Sequence, residues 1–176
     1  MNLLTVTNLS TGYAGKQVIK DISFFVAPKT IVGILGANGC GKTTLIKAIA
    51  NLLPHTGSCQ LDDTYLENAS PRQLALLCGY IPQKSGISID LTLLDVVLMG
   101  FNPKLSLLQS PTEQMKKEAF DALCSVGLGS RKDDNFQQLS EGQKQLCLLA
   151  RTFVLKRRLL LLDEPTSQLD PIAAGE

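Results

Sequence analysis

The chain opens with alternation. From Leu3 to Leu9 apolar and polar residues alternate, the pattern of a half-buried strand. Thr11-Gly12-Tyr13-Ala14-Gly15 reads as a turn, and Val18 to Val26 as a second strand stopped by Pro28. Together they predict an antiparallel pair. An apolar run, Ile31 to Leu35, predicts a third strand, and Leu45 to Leu53 has helical character. Pro54 to Ser58 closes that helix in a turn holding His55, read as structural, and Cys59 to Leu66 is a short strand or hairpin. Ser70-Pro71-Arg72-Gln73 places serine at an N-cap, proline at N1 and glutamine at N3, so a helix starts there. Cys78 to Ile81 is a short apolar strand ended by Pro82-Gln83. From 84 to 135 the pattern turns helical, over Leu91 to Met99 and Glu113 to Val126, with Gly127 and Gly129 as stops. Ser140 caps a further helix running to about Leu155. Leu159 to Leu162 is wholly apolar and of strand length, and it delivers Asp163 and Glu164 at its carboxyl end.

The segment between the third strand and the first helix carries the chemistry. It reads Gly36-Ala37-Asn38-Gly39-Cys40-Gly41-Lys42-Thr43-Thr44. Strand, glycine loop and helix form the context of a phosphate-binding P-loop. Glycines at 36, 39 and 41 can adopt positive φ and carry no Cβ, so backbone N–H groups can converge on an anion. The helix beginning near Lys42 adds its N-terminal dipole. Lys42 can reach β- and γ-phosphates, and the Thr43 hydroxyl can ligate Mg²⁺. A glycine-rich turn between core elements is the competing reading of the loop alone. Such a site needs an acid to support Mg²⁺ and a base to orient water, which Asp163 and Glu164 can supply. Gln83 stands at the carboxyl end of a strand, where open α/β sheets place ligands; a solvated loop glutamine has the same sequence. Tyr13 can stack on an adenine ring or simply cover a sheet edge.

Composition narrows the class. The 176 residues carry a net charge of +1, which leaves no electrostatic footprint for nucleic acid, and no apolar run reaches the length of a membrane span. The N-terminus lacks the basic region and apolar core of a signal peptide. Cys40, Cys59, Cys78, Cys124 and Cys147 contain no CxxC pair, and one histidine is available, so reduced thiols fit better than a zinc site.

Five landmarks in order resemble the ATP-binding subunit of ABC transporters: GANGCGKT (Walker A), Tyr-Ile-Pro-Gln83 (Q-loop), LSEGQ (signature), LLLLDEP (Walker B) and Ser167-Gln168-Leu169-Asp170 (D-loop). The stretch Leu91 to Pro111 resembles importers of the iron–siderophore, haem or cobalamin type. The resemblance implies an α/β fold: a P-loop NTPase parallel sheet with N-terminal antiparallel strands and a helical insertion. One ATP-binding domain would span 1–176, with its core in 1–83 and 156–176 and the helical subdomain in 84–155. It implies that Tyr13 stacks on adenine, that Gly36, Asn38, Gly39, Cys40, Gly41, Lys42, Thr43 and Thr44 cradle the phosphates of ATP, and that Thr43, Gln83 and Asp163 hold Mg²⁺. Glu164, Gln83 and Lys42 would be catalytic. Ser140 and Gly142 would reach the γ-phosphate bound by the opposite subunit, and Asp170 would couple the two sites. The implied partners are a second copy or a paired ABC subunit and transmembrane permease subunits, at the cytoplasmic face of the membrane and without direct insertion. Two departures stand out: Glu141 occupies a position where glycine is usual, and Leu146 one that is often arginine. No residue matches the family's switch histidine, which lies on a further strand in the family. The expectation is therefore a C-terminally truncated chain of low stability, with weak ATP turnover or none; the alternatives to an importer subunit are a module that binds ATP without turnover and a soluble ABC ATPase without a membrane partner.

Overall fold

The computed structural model describes residues 2–83, 86–106 and 108–164, in two compact units, 1–78 and 79–176. The chain is α/β, with an antiparallel sheet, a parallel pair of strands and packed helices, as the sequence implied.

In the first unit, strands β1 (Leu4–Tyr13), β2 (Lys16–Val26), β3 (His55–Leu61) and β4 (Thr64–Tyr65) form an antiparallel sheet in the order β2-β1-β3-β4. The first turn is shorter than the sequence suggested. Only Ala14 and Gly15 lie outside the strands, both at positive φ, as a tight two-residue hairpin with right-handed strand twist requires. Gly12 remains in β1 because a side chain there would run into the backbone at Lys16. Helix α1 (Lys42–Ile49) packs against β1 and β2 and buries Leu45, Ile46, Ala48 and Ile49, and Leu4, Val6, Leu9, Cys59 and Leu61 of the sheet are buried as well. Alternation in β1 sends Leu4 and Val6 inward, and a register shift between Val6 and Leu9, with Asn8 at a φ of 49°, brings Leu9 inward too. His55 begins β3 rather than sitting in a turn; its Nδ1 lies 3.1 Å from the Leu53 carbonyl, a local structural contact. Helix α2 (Pro71–Leu77) starts at the Ser70–Gln73 capping box.

The run Ile31 to Leu35 departs from expectation: it forms no strand. Ile31 and Leu35 are 103% and 96% exposed, and among the described residues no strand pairs with this stretch. An extended segment needs a neighbour to satisfy its backbone groups and to cover its apolar side chains, and here it has neither.

In the second unit, β5 (Cys78–Ile81) pairs with β6 (Leu159–Leu162). Helices α3 (Leu93–Leu98), α4 (Glu113–Ser125) and α5 (Glu141–Phe153) enclose a core built on Leu93, Val96, Phe101, Leu123, Phe136 and Leu148. Each helix begins at a side-chain cap, Thr92, Thr112 and Ser140 in turn, so each orphan N-terminal turn is satisfied locally. Among the described residues no helix is long and apolar enough to cross a membrane.

Candidate functional site

The glycine loop leads directly into α1. Gly39 and Gly41 hold φ of 79° and 105°, a region that residues with a Cβ rarely occupy. Gly41 is the N-cap of α1 and makes no side-chain cap hydrogen bond. The loop closes on itself through Cys40 N–H to the Ala37 carbonyl, 3.2 Å. A Cβ on Gly36 would sit 2.6 Å from Cys40 Sγ, so a larger residue at the first position of the loop would force the Cys40 side chain to shift. Lys42 folds back over the loop, donating to the carbonyls of Gly36 (2.9 Å) and Ala37 (3.1 Å). The result is a cationic group held at a nest of backbone amides and a helix N-terminus, which suits a phosphate chain. Thr43 follows in the first turn, Thr44 is buried, and Asn38 and Cys40 are exposed on the loop. Tyr13 stands at the end of β1, 46% exposed, where its ring is open to a stacking partner.

The second cluster lies within residues 79–164. Pairing of β5 with β6 sets Asp163 beside the end of β5, its N–H bonded to the Ile81 carbonyl at 3.0 Å. The Asp163 carboxylate is buried, at 3% exposure, and accepts from the Tyr80 hydroxyl at 3.3 Å. Gln83 Nε2 donates to Glu164 Oε2 at 2.7 Å, across 81 positions of sequence. Glu164 holds this contact with a φ of 51°, in the left-handed region. The Gln83 carbonyl in turn accepts from Gln145 Nε2 of α5 at 3.0 Å. Hard oxygen donors on Asp163 and Gln83, one of them a buried carboxylate, are of the kind Mg²⁺ takes.

At the start of α5, Ser140 Oγ accepts from the Gln143 amide (3.3 Å), while the Gln143 side chain accepts from the Ser140 amide (3.1 Å). Gly142 lies in the first turn, half-buried. Glu141 is paired with Lys144 at 2.6 Å, so the carboxylate that replaces a glycine is offset by a cation one turn on. Asp170 and the rest of the D-loop lie outside the described residues.

The sequence reading missed two residues. Tyr80 belongs to a strand too short for alternation to separate its faces. Gln145 carried a signal: it shares the α5 stripe with Leu148 and Thr152, both buried, and a polar group on an inward stripe needs a partner.

Comparison with known proteins follows the same outline. Residues 19–167 match the family model described as ABC transporter. The chain is 40% identical over 173 residues to a Helicobacter pylori protein named as a probable iron chelatin transport ATP-binding protein, covering 96% of this chain and 67% of the relative. It is 37% identical over 177 residues to the hemin import ATP-binding protein HmuV of Bordetella parapertussis, covering 96% and 66%. Among solved structures, an inward-facing metal-chelate type ABC transporter superposes with a TM-score of 0.81 at 30% identity, covering 96% of this chain and 62% of that one. A nucleotide-free ATP-binding cassette from an ABC transporter gives 0.86 at 25% identity, covering 99% and 73%. The chain thus spans about two thirds of the length of the curated relatives it matches.

Proposed function

This chain belongs to the ABC transporter family, and we propose that it is the ATP-binding and ATP-hydrolysing subunit of an importer for an iron chelate, hemin or a related metal chelate. The observation that carries the reading is the meeting of Gln83 and Glu164 at 2.7 Å beside the buried Asp163. Residues far apart in sequence converge there on the donor set that nucleotide hydrolysis uses. In this reading the loop amides and Lys42 bind the phosphates, Thr43 and Asp163 hold Mg²⁺, and Tyr13 supports the adenine. Mg²⁺, when bound, would supply charge neutralisation at the phosphates. Glu164 takes the proton of the attacking water, and Gln83 orients it. Ser140 and Gly142 of one copy serve the ATP of a second copy or paired subunit. Permease subunits in the membrane complete the assembly, with this chain on their cytoplasmic side.

Phosphate release from Mg-ATP, measured beside the Glu164→Gln variant, tests this. Release that disappears in the variant while ATP still binds supports Glu164 as the base. Equal release from both overturns that role. ATP binding without release from either selects the alternative, a module that holds ATP without turning it over.

A further inference from the structure

We propose that Gln145 is a positioning residue: anchored on α5, its amide holds the backbone at Gln83 so that the Gln83 side chain reaches the Glu164 carboxylate. The proposal rests on the reading of Glu164 as the base, and it adds a residue to which no role has been given.

The argument runs along three links. Helix α5 is fixed in rotation by Cys147, Leu148 and Ala150, each fully buried. Gln145 lies one turn before Leu148 and Leu149, on the side of the helix they share, and is half-buried there. Its Nε2 then donates to the Gln83 carbonyl at 3.0 Å, a contact spanning 62 positions and joining the helix to the end of β5. With the backbone of Gln83 held, its side-chain amide donates to Glu164 at 2.7 Å, within the range of a charge-assisted bond. Glu164 occupies a left-handed φ of 51°, which a residue with a Cβ disfavours. The bond from Gln83 is therefore placed where the acid most needs holding. A loop released at Gln83 would let its amide turn away, and Glu164 would lose its orientation without any change in the glycine loop that binds phosphate. Misplacement of a reacting group by about 1 Å can lower a rate by about 100-fold.

The test uses the full chain with two substitutions. Gln145→Met keeps the length and helix propensity and removes the donor; Gln145→Lys keeps a donor. The first readout is amide hydrogen exchange of the peptide 78–83 without nucleotide. Gln145→Met should raise its exchange by about fivefold, the size expected for one hydrogen bond lost, and Gln145→Lys should restore protection. The second readout is turnover, with kcat lowered about tenfold or more in Gln145→Met and ATP affinity within about twofold of the parent chain. Unchanged exchange in Gln145→Met overturns the proposal. So does exchange in Gln145→Lys as fast as in Gln145→Met, and that arm decides alone should the methionine variant unfold. Because exchange is read without nucleotide, a chain that binds ATP without hydrolysing it would refute the role of Glu164 and still leave the tether decided.

Discussion

The left-handed glycines of the loop allow one prediction to be worked from coordinates. Gly39 and Gly41 share the same backbone requirement, with φ of 79° and 105°, but not the same surroundings. A Cβ on Gly39 would meet nothing within 4 Å, whereas one on Gly41 would lie 2.7 Å from Ile19 Cδ1 and 3.0 Å from Val18 Cγ1. Gly39→Ala thus carries only the left-handed penalty of an L residue, roughly 1–2 kcal/mol. Gly41→Ala carries that penalty plus overpacking against the buried Ile19, roughly 1–3 kcal/mol more, for a total of about 2–5 kcal/mol. The contact falls on the far end of one isoleucine side chain, which can shift, so the lower half of that range is expected. Urea denaturation followed by far-UV circular dichroism reads both variants, at about 2–4 °C per kcal/mol if run as a thermal scan. Equal destabilisation by the two variants would refute the packing of Gly41 against β2. No destabilisation by either would refute the left-handed loop itself.

Three further outcomes follow from the same coordinates. Gly57→Ala should be more damaging than Gly39→Ala, by more than about 2 kcal/mol in the same denaturation assay, because its Cβ would run into the carbonyl oxygens of Thr7 and Asn8 at a φ of 82°. Burial pushes the thiols of Cys59 and Cys147 from an ordinary value of 9.0 up to about 12. A raised thiol pKa keeps the proton in the fold, so its stabilisation is complete below pH 9 and is lost as pH rises toward 12; a pH series of denaturation midpoints should fall across that window. At pH 8 a thiol-alkylating reagent should label Cys40 and Cys124, which are exposed, well before Cys59 and Cys147, as mapped by peptide mass.

What the sequence made legible was local. The serine cap at 70 was readable because Ser70 and its partner Gln73 lie three positions apart, and that at 140 from the serine ahead of a helical run; both form capping boxes, the second with Gln143. The α/β class was readable because apolar runs of strand length alternate with helical periods. The lost strand at Ile31 to Leu35 shows the limit. Its composition favours a strand, but strand formation depends on a neighbour, and no local pattern states whether one is there. The hairpin turn was read too wide because Gly12 looks like turn chemistry, while in the fold it admits close backbone approach inside β1. At the site, each of Gln83, Asp163 and Glu164 was visible through its place after a strand. That Gln83 grips Glu164, and that Gln145 grips Gln83, depends on contacts across 81 and 62 positions, which no local spacing encodes.

The central claim is that the glycine loop and Lys42 bind the phosphates of a nucleotide. Equilibrium binding of a fluorescent ATP analogue, with the chain and its Lys42→Ala variant at the same folded fraction, tests it most directly. A charge-assisted contact of about 1.5–3 kcal/mol predicts affinity weakened about 10- to 150-fold in the variant. Affinity equal in the two proteins, or no saturable binding by the parent chain, would contradict the account.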